Sequence, residues 1–308
     1  MKLSDYDPRN QPHSTQLAMT AIMGGMFVWC CIANMGSSLP ELIFMDMPVH
    51  LGIAAAACII LMTMNNLMAK GSAHSTELKL AEAFAAHGFG TETAELLRRK
   101  VPVPTERDKV LLTFHLVMAG QYAQAKEQIA GLSAGQLPLR ERAMLITARL
   151  LLFIDTGAYE KAVLLAEESQ MMLENAYRAA PEFGEEFCGY ADDYLEYLML
   201  SAVMSELRQA PEQAAEYRQQ AIRRAEKRTA EEALFYRSLT ELQRLYITGA
   251  AEAAAEQAAK LLHTVSGLTP PVTAGAKRSM QRAVEQAGHL AGLRTSVRTV
   301  SRGRPLPQ

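Results

Sequence analysis

The stretch GAYEKAVLLAEES, residues 157–169, has an upstream counterpart in GQYAQAKEQIAGL, residues 120–132. Both begin Gly-x-Tyr-x-x-Ala and continue with apolar residues three and four positions apart, the spacing of an amphipathic helix. Two weaker copies follow, GAAEAA from Gly249 and QAPEQA from Gln209. The copies start at 120, 157, 209 and 249, at intervals of 37, 52 and 40 residues. A unit that recurs at such intervals predicts a repeat architecture.

Each copy lies at the junction of two predicted helices. We expect the glycine to end the first helix with a positive φ, the tyrosine to pack over the turn, and the alanine to let the two helices cross closely. In the copy from Gln209, Pro211 suits the first turn of a helix. No segment alternates with period two for long enough to predict a strand. The sequence therefore predicts an all-α fold.

The turn residues resemble those of the tetratricopeptide repeat (TPR) family, over roughly residues 75–268. The family's Trp-x-x-Leu-Gly segment and closing proline are missing, and the 52-residue interval indicates longer helices or an insertion near AYRAAPEFGEEFCGY. The resemblance implies a TPR-like α-solenoid of about five helical hairpins in residues 70–291. The matching residues are Gly120, Tyr122 and Ala125; Gly157, Tyr159 and Ala162; and, in part, Gly249 and Ala254.

The resemblance also implies where a partner would bind. In the family, the inner surface comes mainly from the first helix of each pair, which here includes Thr147 and Glu206. For the aromatic residues on this surface, a place in the core is the alternative, although tyrosine is enriched at binding hot spots. The candidate protein-binding residues are Arg107, Phe114, Tyr236, Gln243 and Tyr246.

Two apolar segments precede the repeats, LAMTAIMGGMFVWCCIANM at 17–35 and LGIAAAACIILMTMNNLMA at 51–69. Each has 19 residues without a charge, and as a helix each would span about 28 Å, near the thickness of the bilayer's hydrocarbon core. We interpret residues 17–69 as a two-helix transmembrane hairpin in contact with the lipid bilayer. A cleaved signal peptide is the alternative for the first segment.

The charges around these segments predict their orientation. The linker between them carries only acidic charge, and basic residues resume at Lys70. By the positive-inside rule, both termini lie in the cytoplasm, including a short N-terminal flank at 1–16. The sequence thus predicts a multi-pass protein of the cell membrane.

The chain ends in AGLRTSVRTVSRGRPLPQ, which has no acidic residue. Because its Gly and Pro residues oppose a continued helix, we expect residues 292–308 to form a disordered basic tail. Attraction to anionic lipid is the alternative role for its four arginines, Arg294, Arg298, Arg302 and Arg304.

Motifs for chemistry are missing from the sequence. No two histidines are three to five residues apart, and no phosphate-binding loop or nucleophile elbow occurs. The four cysteines have no spacing typical of disulfides or zinc. We expect the acidic pairs Glu167-Glu168, Glu185-Glu186 and Asp192-Asp193 to be solvated, because neighbours on a helix do not face each other. The sequence therefore predicts no catalytic residue, metal site or cofactor.

The net charge of −2 argues against a nucleic-acid partner that relies on a large basic surface. Together, these features predict a membrane-anchored, non-enzymatic scaffold or adaptor that binds protein partners at the cytoplasmic face. The alternative is an accessory subunit of a membrane transport or secretion complex, whose hairpin packs into the assembly.

Overall fold

The computed structural model describes residues 24–25, 79–100, 106–133, 135, 137–178, 192–227, 229–270 and 272–303. Its contacts divide the chain into two units, residues 1–78 with 100–103 and residues 79–99 with 104–308. Nearly all described residues belong to the second unit.

Within the described part of residues 79–303 the chain forms eleven α-helices and no strand. The predicted all-α class is therefore confirmed for this part of the chain. The helices are α1 (79–87), α2 (Thr91–Lys100), α3 (Glu106–Met118), α4 (Tyr122–Ala130), α5 (Leu139–Asp155), α6 (Tyr159–Arg178), α7 (Asp193–Leu207), α8 (Pro211–Glu226), α9 (Ala230–Thr248), α10 (Ala251–Gly267) and α11 (Ala274–Gly303).

The first ten helices form five consecutive pairs, as the sequence predicts. In the last four pairs the two helices of a pair pack against each other. The first helices of these pairs also pack in order, α3 on α5, α5 on α7 and α7 on α9. These four pairs thus bury their apolar stripes against one another, which is how stacked helical pairs gain a common core.

The two helices of every pair are joined by a turn with one left-handed residue. Four of these residues are Gly88, Gly120, Gly157 and Gly249, with φ between 64° and 87°. The fifth is Gln209, with φ of 60°. The predicted positive φ is confirmed at the repeated glycines. In four turns the next residue donates its N–H to the carbonyl five residues back, at 2.8–3.0 Å: Gln121 to Leu116, Ala158 to Phe153, Ala210 to Ser205 and Ala250 to Leu245.

The predicted small residue of the turn is also found where the helices cross. Five positions after each left-handed residue lies a side chain that is at most 1% exposed. At this position a larger side chain would push the second helix away from the first. The residues are Thr93, Ala125, Ala162, Ala214 and Ala254.

Helix α11 corrects the predicted boundary at residue 291. The predicted disordered tail, 292–308, is helical as far as Gly303. Glycine weakens a helix by about 1 kcal/mol, but the helix around Gly292 is supported by the buried side chains of Leu290 and Leu293. Tertiary packing therefore outweighs the local signal that favoured a break.

Across the described residues, none of the helices combines the length and apolar character that a bilayer crossing requires. The predicted segments 17–35 and 51–69 lie outside the described residues, except that Gly24 and Gly25 are helical.

Candidate partner-binding surface

Helix α11 lies along the turns that join the two helices within a pair. At Gly275 a Cβ would overlap the carbonyl oxygen of Phe84, next to the first turn. At Gly292 a Cβ would overlap the ring of Tyr159, the tyrosine of the Gly-x-Tyr motif at the third turn. The backbone of α11 therefore comes close to two turns, at two glycines where a side chain would meet the backbone of α1 or the ring of Tyr159.

Two arginines of α11 reach two further turns. The guanidinium of Arg282 lies 3.6 Å from where a Cβ of Gly120 would be. The guanidinium of Arg294 lies over Gly249, which has no side chain to block it. We call the surface formed by these four turns and the adjoining ends of α5 and α9 the turn surface.

The polar centre of the turn surface is the carboxylate of Asp155, the last residue of α5. Tyr122 donates its hydroxyl hydrogen to this carboxylate at 3.0 Å, and Gln286 donates its amide at 2.9 Å. Arg282 donates to the same carboxylate at 3.3 Å and also to the hydroxyl of Tyr122. Four side chains from three distant parts of the chain thus meet at one buried charge.

The charges at this centre are balanced across α5 and α11. A carboxylate at the C-terminal end of a helix is unfavourable, because the helix dipole is negative there. The guanidinium of Arg282 offsets this effect at Asp155. Burial raises the pKa of Tyr122 to about 12, and the nearby charge of Asp155 contributes to the rise. Tyr122 therefore stays protonated and remains a donor at neutral pH.

The apolar side of α11 packs beside this centre. Its buried side chains are spaced three or four residues apart, as expected of a helix that presents one face to a groove. Helix α11 contacts α5, α6, α9 and α10. The buried side chains of this face are Met280, Val284, Ala287, Leu290 and Leu293.

Three of the predicted binding residues lie next to α11. Tyr236 and Gln243 of α9 line the same small cavity as Leu290. The hydroxyl of Tyr246 lies 3.8 Å from where a Cβ of Gly288 would be. The structure therefore brings these three residues together, and the chain's own last helix lies against them.

The other predicted residues of the inner surface are in different surroundings. Arg107 is exposed in the first turn of α3. Phe114 is 0% exposed and packs edge-on against Phe89 at 6.2 Å, which is a place in the core. Thr147 is buried, and Glu206 pairs with Arg218.

Asp155, Arg282 and Gln286 were not among the predicted residues. Their signal is indirect: Gly-x-Tyr occurs twice, and Tyr122 and Tyr159 both contact α11. The tyrosine of the motif therefore packs against the last helix as well as marking the turn. Its partner Arg282 lies 160 residues away in the chain, beyond the reach of local pattern reasoning.

The acidic pair Asp192-Asp193 was predicted to be solvated, and this prediction is wrong. Asp193 is fully buried and forms a two-pronged ion pair with Arg140. Tyr177 also donates to it at 2.7 Å. Asp192 accepts from the Nε of Arg224 at 2.7 Å. Because neighbours on a helix point in different directions, each carboxylate reaches an arginine of its own.

Comparison of the chain with protein-family models, curated proteins and solved structures finds no match. The resemblance to the TPR family therefore rests on the residues of the turns alone. Within the described residues no group of three or more His, Cys, Asp or Glu side chains could hold a metal ion. The turn surface, where α11 meets four turns, is the candidate site within the described residues.

Proposed function

We propose that the chain is a membrane-anchored, non-enzymatic scaffold, in which a TPR-like α-solenoid binds a protein partner at the cytoplasmic face. The observation that supports this proposal is the position of α11 along the turns. From Gly275 to Arg294 the helix follows the turn surface for about 28 Å, at 1.5 Å per residue. A surface that holds one helix over this length is suited to helix recognition.

The proposed tether gives the scaffold its advantage. Residues 17–69 would confine it to the membrane, where a shared surface raises the effective concentration of scaffold and partner without any new contact. Arginines near the end of the chain would add attraction to anionic lipid, at about 1 kcal/mol for each that reaches the surface. The candidates remain Arg294, Arg298, Arg302 and Arg304.

Site-specific photocrosslinking in native membranes tests whether a partner binds to the predicted inner surface, which the first helix of each pair provides. One probe replaces Arg107, which is exposed on the first helix of its pair; the control probe replaces Met171, which is 77% exposed on the second helix of another. We expect a defined protein adduct at residue 107 and none of the same mass at residue 171. Identical adducts at both positions, or none at residue 107, would contradict partner binding on the inner surface and with it the scaffold function.

Exchanging residues 17–69 for an unrelated hairpin separates the scaffold from the alternative of a membrane-complex subunit. A scaffold keeps its adduct at residue 107, because the hairpin serves only as a tether. A subunit of a transport or secretion complex loses it, because the hairpin itself packs into the assembly.

A further inference from the structure

We propose that α11 is an internal ligand of the turn surface, and that the partner presents a basic α-helix with small residues, which takes the place of α11. This inference rests on the proposed scaffold function, since it names the kind of partner that the same surface would bind. The properties of α11 define what a competing helix must have.

The first property is the absence of side chains at the points of closest approach. Gly275 and Gly292 lie 17 residues apart and contact different turns, and a Cβ at either position overlaps the scaffold. At Gly288 the scaffold leaves more room, because Tyr246 lies at ordinary contact distance from a Cβ there. A competing helix therefore needs glycine, or a comparable gap, at two positions about five turns apart.

The second property is positive charge. Helix α11 has six basic residues and one acidic residue, so its net charge is +5. Since the whole chain carries −2, the remainder carries −7. The carboxylate of Asp155 and the hydroxyl of Tyr122 together hold the guanidinium of Arg282. A competing helix would place an arginine at this position.

The third property is that α11 lies outside the stack of pairs. Contacts among α3, α5, α7 and α9, and between the helices of their pairs, connect the stack without α11. A short segment, residues 268–273, joins α10 to α11. The Arg282 side chain is 23% exposed, so water reaches the ion pair at the centre of the turn surface. Release of α11 would therefore leave the contacts between these four pairs in place.

Exchange of the helix in a cut chain tests the proposal. A protease site is inserted between residues 268 and 273 of the full-length chain, and after cleavage a labelled peptide of residues 274–303 is added in excess. We expect the cut helix to stay bound after cleavage and then to be replaced by the peptide in a saturable manner. A cut helix that never exchanges, or whose loss unfolds the chain, overturns the proposal.

Variant peptides test the two recognition properties separately. We expect the peptides R282E and G292L each to compete at least tenfold more weakly than the native peptide. A scrambled peptide of the same composition keeps the charge of +5 and should compete as weakly. If the scrambled peptide competes as well as the native one, the surface attracts charge alone and the proposed helix recognition is wrong.

The uncut chain gives a second measurement. The substitution G292L forces a side chain against Tyr159 and should free the turn surface, so the labelled native peptide should bind at least fivefold tighter than to the wild-type chain. The control is A291L, because Ala291 is exposed on the same helix. Equal binding to the two variants contradicts the proposal. These peptide experiments need no partner, so their failure leaves the crosslinking result at residue 107 to decide the scaffold function.

Discussion

Two buried carboxylates, Asp193 and Asp155, are held by different kinds of neighbour. Asp193 is enclosed by Arg140, which is 6% exposed and 53 residues away, in the preceding helix pair. Asp155 is held by Arg282, which lies 127 residues away on α11 and is partly exposed. The first ion pair ties neighbouring helix pairs together. The second joins the last helix, α11, to the turn surface, so in our proposal a similar interaction serves stability in one region and recognition in the other.

The same substitution at the two carboxylates should therefore have unequal effects, and D193N should have the largest. It removes the carboxylate that pairs with the buried charge of Arg140, and breaking a buried ion pair on one side costs about 3–5 kcal/mol. Chemical denaturation of the purified full-length chain, followed by circular dichroism, measures the loss. The control is E174Q, because Glu174 pairs with the exposed Arg178 at 3.8 Å and such surface pairs contribute at most about 1 kcal/mol. A loss as small for D193N as for E174Q would contradict the burial of Asp193.

The repeated turns are the part of this fold that could be predicted from the sequence. A residue with positive φ and a small residue five positions later are local requirements, so Gly157 and Ala162 could be read directly from the chain. The same reasoning also found the five helix pairs, because the apolar spacing of each helix is a local signal.

The burial of Asp193 and the position of α11 could not be read in this way. Asp193 is charged and lies beside another acid, and only the arginine that folding brings to it makes its burial favourable. From the local sequence alone, the glycines of α11 predict a break in the helix. In the structure, Gly275 and Gly292 instead allow close contact with distant turns. Three predicted residues nevertheless lie beside α11, because Tyr236, Gln243 and Tyr246 all belong to α9, the first helix of its pair, which the resemblance places on the inner surface.

His115 is a buried titratable side chain that, unlike the two carboxylates, has no ion-pair partner among the described residues, and it should make the stability of the fold depend on pH. His115 is fully buried; its Nε2 contacts the carbonyl of Gly90 at 3.1 Å, and its Nδ1 has no hydrogen-bond partner among the described residues. Burial lowers the pKa of His115 from 6.5 to about 4. The unfolded chain therefore binds this proton first as the pH falls. The stability present above pH 6.5 should decrease progressively as the pH approaches 4, by about 3 kcal/mol in total.

Denaturation midpoints at a series of pH values measure this loss. In the variant H115Q the amide can still donate to Gly90 but cannot titrate, so the part of the pH dependence due to His115 should disappear. The control H263Q replaces an exposed histidine and should keep the wild-type slope. The same slope in H115Q and wild type would show that another group causes the acid sensitivity.

The substitution D155N should have a smaller and more local effect than D193N. The amide can still accept from Tyr122, while the charged interaction with Arg282 is lost and the exposed edge of that guanidinium can turn to water. A hydrogen bond to a charged group contributes about 1.5–3 kcal/mol, and solvation of Arg282 should reduce the loss to about 1–2 kcal/mol. Hydrogen exchange should show faster exchange in α11 and unchanged protection in α7. Equal loss of protection in both helices would mean that α11 is part of the stack and not a separate occupant.

The smallest effect should come from the one turn that uses a side chain where its four counterparts use glycine. Gln209 has φ of 60°, and a residue other than glycine in this conformation costs about 1–2 kcal/mol. Replacing it by glycine removes this strain but adds flexibility to the unfolded chain, which offsets about 0.5–1 kcal/mol. We expect Q209G to raise the free energy of unfolding by about 0.5–1 kcal/mol. The reverse change, G157A, should lower it by a similar amount, because φ at Gly157 is 74°.

In Q209G the exchange rates of α11 should remain those of the wild-type chain, since the change affects the turn between α7 and α8 and leaves the Asp155 centre intact. Faster exchange in α11 would instead show that this turn is coupled to the last helix. The stack around Asp193 and the turn surface around Asp155 would then not be separate regions.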